Sequence, residues 1–323
     1  MRTLQQSVGV WTRRGLAHVA LAGFATLALG QATRAADPVK IVIGTTPLAD
    51  VMPAYIAREK GFFAARGLDV SFTFIPLNPT IPAALMANSI QIGAPNMAVF
   101  VQAFDAGLEL QLIAGSTTTP SMGAPMAYVT RPDVAYNDPK DLEGKRIIMP
   151  GLGSSVDVLF QKWLIEKGID PKKLKFVEMG SPQIDDALKS KTVEGAVTVE
   201  PFLTRVQQSG NGKVAVRFMD GLADDKLGIS YVATRNWIAQ NPQAVDNFRK
   251  AIDEAIVWSK ANQAEARVLI QPYIKLPQTV IDALPFPNMK NNVTADGVTW
   301  WVNTMKAQGR LSTTPNVAAM VAR

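Results

Sequence analysis

From residue 38 onward, short apolar runs alternate with segments whose apolar residues recur every three or four positions. VKIVIGTT (39–46) is a continuous apolar run closed by Gly and Thr, as expected of a buried strand. Pro53 then suits the first turn of a helix, AYIAREK, and Gly61 suits its stop. LDVSFTFIPL (68–77) alternates and reads as a strand, TIPAALMANS as a short helix, and IQIGAP (90–95) as a strand. Asn96 can cap the next helix, MAVFVQAFDAG, and ELQLIAGSTTTP (109–120) reads as a strand running into a hydroxyl-rich loop. The second half repeats the scheme. GKRIIMPG (144–151), LKFVEMG (174–180) and GAVTVEP (195–201) read as strands, and Val156, Leu159, Phe160, Trp163 and Leu164 share one helical face. Strands alternating with helices of this length predict parallel βαβ units. The tail differs: NPQAVDNFRKAIDEAIVW (241–258) predicts a helix with Asn241 as N-cap and Pro242 at its first position. Further helices are expected over 262–271, 294–308 and 315–322.

The two halves resemble each other. IAREKG…LDVSFTFI…AALMANSIQIGAP aligns with LIEKG…LKFVEM…DALKSKTVEGAVTV, the Glu-Lys-Gly triplets lying 107 residues apart and the Gly-Ala pairs 102 apart. Short identities of this kind arise by chance, but the pattern predicts two similar α/β lobes. Ligands of such sheets bind beyond the carboxyl ends of the strands, so two facing lobes would enclose one cleft.

Composition narrows the chemistry. The first 35 residues carry Arg2, Arg13 and Arg14, then an apolar run from Leu16 to Leu29, then small residues with Thr33 and Ala35 placed for cleavage. That predicts a secretory signal peptide over 1–35, with Thr12-Arg13-Arg14-Gly15-Leu16 also fitting a loose twin-arginine pattern. Beyond it, 29 basic residues face 27 acidic ones, and no basic stripe with interleaved aromatics appears, so no nucleic acid partner is expected. The sequence has no Cys, and its one His, His18, lies in the leader. Ser-His-Asp and Cys-His catalysis and His- or Cys-based metal sites are therefore excluded beyond residue 35; no cofactor and no metal are expected.

GTTPLADVMPAYIAREKGFFAARGLDV, ALMANSIQIGAPN, AGLELQLIAGS, DLEGKRIIMPGLGSS, VEPF and ATRNWIAQNPQAV together resemble the aliphatic sulfonate, nitrate and taurine family of periplasmic binding proteins. The resemblance covers about 38 to about 310. It implies a two-lobed α/β, type II periplasmic-binding fold with the ligand cleft between lobes. Lobe 1 would comprise 36–129 plus 232–323 and lobe 2 would comprise 130–231, with crossings near Tyr128–Arg131 and Ser230–Ala233. It implies delivery of a solute to an ABC permease and ATPase, a periplasmic location and a monomer. A related branch binds thiamine pyrimidine precursors; its yeast relatives use histidine, which this chain lacks beyond the leader.

Within that cleft PGLGSSVDVLF (150–160) is the sharpest feature. A helix starting at Ser154 or Ser155 would aim free N–H groups at a ligand's anionic oxygens, with Gly151 and Gly153 allowing close approach. The alternative is a simple capping box closed by Asp157. Thr45, Thr46 and Pro47, Asn96, Thr117 to Thr119, and Gly180 with Ser181 end strands that would face the cleft, or are ordinary turn and cap residues. Glu200 could accept from an amine or ring N–H or latch the lobes, and Tyr231 could stack on a ligand or pack the hinge. Three functions stay open: an importer's solute-binding protein for a sulfonate- or carboxylate-type anion, or for a neutral nitrogen heterocycle such as a pyrimidine; a sensory binding protein docking on a receptor; and a carboxylate enzyme using Glu200 with Asp50 or Asp157.

Overall fold

The structure is a computed structural model describing residues 37–120 and 125–322. The signal-peptide expectation lies outside the described residues.

Strands along the described chain are β1 (Val39–Thr45), β2 (Leu68–Phe74), β3 (Ile92–Gly93), β4 (Leu110–Gly115), β5 (Met126–Thr130), β6 (Arg146–Met149), β7 (Lys175–Glu178), β8 (Gly195–Val199), β9 (Lys213–Val216) and β10 (Ser230–Thr234). They form two five-stranded sheets, in the orders β2-β1-β3-β10-β4 and β7-β6-β8-β5-β9. β1 runs parallel to β2 and β3, and β6 parallel to β7 and β8. Each sheet also takes one antiparallel strand: β10 between β3 and β4, and β5 between β8 and β9. The two orders superpose term by term, so the repeated segments of sequence occupy equivalent places: β2 matches β7, and β3 matches β8.

The expected crossings near Tyr128–Arg131 and Ser230–Ala233 overlap two strands: β5 pairs in the second sheet from Met126 on, and β10 pairs in the first from Ser230 on. The expected strand at 90–95 shrinks to Ile92–Gly93. There the absent side chain of Gly93 lets Ile81 and Leu85 press onto the sheet; a Cβ would sit 2.7 Å from Ile81.

Helices are α1 (Met52–Glu59), α2 (Ile81–Met86), α3 (Met97–Asp105), α4 (Ser155–Glu166), α5 (Ile184–Lys189), α6 (Phe202–Ser209), α7 (Arg235–Gln240), α8 (Pro242–Ala261), α9 (Gln263–Ile274), α10 (Gln278–Asp282) and α11 (Ala295–Ala307). As the periodicity requires, Val245, Phe248, Ile252 and Ile256 of α8 are all buried. They join a core formed by β1, α1 and α9. Asn241 is the N-cap residue of α8 and Pro242 follows it, as expected, but its side chain does not close that cap: Nδ2 donates to Trp237 O at the end of α7. A second apolar core runs from Phe100 and Val101 of α3 through Leu159 and Phe160 of α4 to Tyr128 and Trp301. It contains residues from around both sheets, so an apolar seam joins the lobes beside the cleft.

Candidate functional site

Where the carboxyl ends of the two sheets meet, the chain encloses a cavity of about 100 Å³. The loop after β1 contributes Thr46, Pro47 and Asp50; Asn78 and Asn96 come from the loops before α2 and α3; Ser154, Ser155 and Ser181 come from the second lobe. Leu48, Met126, Leu159, Phe202, Ile229 and Trp301 supply apolar walls. Among the described residues no Lys, Arg or His lines this space.

Three side-chain groups in the cavity wall that can donate have no partner among the described residues: Thr46 Oγ1, Asn78 Nδ2 and Ser154 Oγ. They are 8%, 5% and 1% exposed, respectively. The amide of Asn78 is oriented by its other end, since its Oδ1 accepts from Asn96 N at 2.9 Å. Buried polar groups are nearly always paired, and leaving one unpaired costs about 1–3 kcal/mol. Three such groups around one cavity form a donor set suited to acceptor oxygens of a bound molecule.

The start of α4 is arranged differently from the expected anion site. Ser155 N donates to Asn96 Oδ1 at 2.9 Å and Ser155 Oγ to the same oxygen at 3.0 Å, while Ser155 Oγ accepts from Ala98 N at 3.1 Å. Asn96 Oδ1 also accepts from Val99 N at 3.2 Å, capping its own helix. One carboxamide oxygen therefore serves the N-termini of α3 and α4 from opposite lobes. The capping box is not formed either: Asp157 Oδ2 accepts from Gly153 N at 2.9 Å, and Ser154 Oγ stays unpaired. Asp157, 2% exposed, pairs with Arg310 beyond α11 at 3.0 Å. Gly151 and Gly153 hold φ of 100° and 81°, a region that favours glycine. What approaches them is the other lobe, since added Cβ atoms would lie 3.0 Å from Pro79 and from Gln102.

This clasp carries a prediction. Asn96→Ala removes a helix cap and the partner of two Ser155 groups, an expected loss of about 2 kcal/mol. Thermal melting should fall by about 4–8 °C. Asn96→Asp keeps the acceptor and adds negative charge at two helix N-termini, so it should melt close to the parent; equal losses in both variants would refute the shared-cap account.

The remaining expected residues separate cleanly. Thr45 is fully buried with Oγ1 on Thr46 O, because β1 alternation turns it away from the cavity that Thr46 faces. Thr117 Oγ1 donates to Asp50 Oδ1 at 3.0 Å, so it supports the wall without lining it. Thr118 Oγ1 donates to Asp225 at 2.9 Å, outside the cavity, whereas Thr119 lines it. Gly180 belongs to a wider groove alongside, and Ser181 reaches the cavity. Glu200 does not line it: its carboxylate accepts from Thr204 N and Oγ1, both at 3.0 Å, holding the first turn of α6. Burial raises the Glu200 pKa, against the lowering effect of those bonds. Tyr231 also lies outside, fully buried edge-on to Phe248 with its hydroxyl 3.2 Å from Ser116 Oγ.

The carboxyl group in the cavity is that of Asp50. Burial pushes its pKa up, while the Thr117 hydroxyl pulls it down. The sequence offered Asp50 only as an acid in an enzyme pair, because an aspartate in PLADVMP reads as an ordinary first-turn residue. Asn78, in LNPT before a short helix, carries no signal of its own either.

Residues 49–266 match the protein family described as NMT1/THI5 like. The periplasmic aliphatic sulphonate binding protein SsuA of Escherichia coli has the same fold, with a TM-score of 0.71 at 17% identity over 88% of this chain and 97% of that one. The riboflavin-binding protein RibY of Chloroflexus aurantiacus is 24% identical over 84% of this chain and 74% of its own length. The 4-amino-5-hydroxymethyl-2-methylpyrimidine phosphate synthase of Candida albicans is 27% identical over 67% of this chain and 65% of its own.

Proposed function

The chain belongs to the NMT1/THI5-like family, and from that premise and its cavity we propose that it is the periplasmic solute-binding component of an ABC importer. It closes two lobes around one small organic solute bearing sulfonate- or carboxylate-type oxygens. The observation that carries this reading is the buried set of unpaired donors, Thr46 Oγ1, Asn78 Nδ2 and Ser154 Oγ, drawn from both lobes around one cavity. Donors without a full positive charge can hold such oxygens and still let them go, as a carrier must. The sulfonate-binding and riboflavin-binding relatives support the carrier role in general; their ligands differ, so ligand choice rests on this chain's own cavity. The synthase relative raises an enzymatic alternative. Against it stand the lack of His and Cys beyond residue 35 and, among the described residues, a cavity lined by a single carboxyl side chain, too few groups for acid–base or nucleophilic work.

A melting-shift panel of alkanesulfonates, taurine, small carboxylates, nitrate and aminopyrimidines tests the proposal. A ligand at 100 times its Kd should add about 2.7 kcal/mol, a shift of about 5–11 °C. A compound that binds and is recovered unchanged supports a carrier. Turnover of the compound overturns that reading, as does silence across the panel.

A further inference from the structure

Among the described residues, one ionisable side chain, Asp50, lines the cavity, and no cation does. Asp50 Oδ1 takes the Thr117 hydroxyl at 3.0 Å, and Ser116 Oγ donates to the Asp50 backbone oxygen at 2.6 Å. The titratable groups around Asp50 are Tyr55 from α1, Tyr231 from β10 behind Ser116, and Glu200 ahead of α6; none is cationic. The polar groups beside Asp50, the Thr117 hydroxyl, its own backbone N–H and the cavity amides, are all uncharged, so the charge of an ionised Asp50 is left to whatever enters the cavity. A plain anion held about 6 Å from that carboxylate would lose about a hundredfold in affinity at an effective dielectric of about 20. Asn78 Nδ2 can only donate and the Thr46 and Ser154 hydroxyls can donate too, so acceptor oxygens satisfy all three at once.

We propose that Asp50 is the cavity's recognition carboxylate and that the solute is bipolar, setting an ammonium or ring N–H against Asp50 and acceptor oxygens against Thr46, Asn78 and Ser154. The proposal rests on the carrier reading and specifies its ligand class. A bipolar solute satisfies both sets at once: its cation neutralises Asp50, and its oxygens meet donors that carry no charge. It also assigns Thr117 a role as positioning residue, since its hydroxyl fixes Asp50 Oδ1.

Matched pairs differing only in the amine test this by titration calorimetry: taurine against ethanesulfonate, β-alanine against propionate, and an aminopyrimidine carboxylate against its amine-free counterpart. In the unaltered protein the amine-bearing member should bind at least tenfold more tightly at pH 7. That preference should vanish in Asp50→Asn, which keeps the acceptor for Thr117 and removes the charge. It should also fade as pH falls and Asp50 takes up a proton. An amine-free anion binding as well as its partner, or a preference surviving in Asp50→Asn, overturns the bipolar ligand while leaving the carrier standing. No binding by any member overturns both.

A ligand-free measurement stands beside it. Because the folded Asp50 pKa is raised, its ionised form opposes folding at neutral pH and its protonated form does not. Asp50→Asn should therefore melt higher than the parent at pH 7, with the difference closing as pH drops through the range where Asp50 protonates. A lower melting point at pH 7 would mean that protein groups neutralise Asp50, and the proposal fails.

Discussion

Ser154→Ala should raise the melting temperature of the ligand-free protein and weaken ligand binding at the same time. Ser154 Oγ is buried without a partner, and Ser154 caps α4 through its backbone alone. Removing an unpaired buried hydroxyl relieves a desolvation cost of about 1 kcal/mol, or about 2–4 °C. A bond from that hydroxyl to a charged ligand oxygen contributes about 1.5–3 kcal/mol, so affinity should fall by about 10- to 100-fold. Calorimetric melting of the empty protein and titration with the tightest compound of the panel give the two readings. The opposite signs are the point: a residue that merely capped α4 would lose stability and leave affinity alone. Ser155→Ala, stripped of its bonds to Asn96 and Ala98, should lose stability.

Arg310→Met should be the most destabilising of the changes considered. Asp157 is 2% exposed and Arg310 18%, and breaking a buried pair from one side leaves an unpaired charge that costs about 3–5 kcal/mol. The bonds from Gly153 N and from Gln161 Nε2 at 2.6 Å still serve the carboxylate, so about 3 kcal/mol is expected. Chemical denaturation measures it. Asp157→Asn added to Arg310→Met should recover part of the loss, because it removes the stranded charge. A double variant no better than the single would mean that Arg310 acts by packing its stem, not by charge. The same pair spans the lobes, from the residue beyond α11 to the first turn of α4. Gln308 Nε2 donates to Val158 O at 2.9 Å beside it.

Apolar periodicity made the lobes legible and left the side chains of the site largely hidden. Alternating strand and helix signals place the cleft at the strand ends; the Glu-Lys-Gly repeats close the equivalent helices α1 and α4, and the Gly-Ala repeats fall at the equivalent strands β3 and β8. Which residue of a strand-end loop turns inward is decided by one step of the pleat, and that is why Thr46 faces the cavity and Thr45 does not. Glu200 and Asp50 show the same limit: each is an acid at the end of a strand or the start of a helix, and only the packed fold gives one to α6 and the other to the cavity. Among the strands, β9 was not expected, since KVAV (213–216) is a four-residue piece with no polar–apolar alternation. β5 was not expected either, being five residues after a proline and paired with strands distant in sequence.

The oxygen shared by α3 and α4 bears on timing. Much of what holds the lobes together belongs to the protein itself: the Asn96 clasp, the Arg310 pair and the apolar seam. Contacts made by the protein itself favour the shut arrangement with or without solute, so opening must work against them. Solute capture would then follow the rhythm of that opening: the observed association rate would climb with solute concentration and level off at the opening rate, a ceiling that loosening Asn96 would lift.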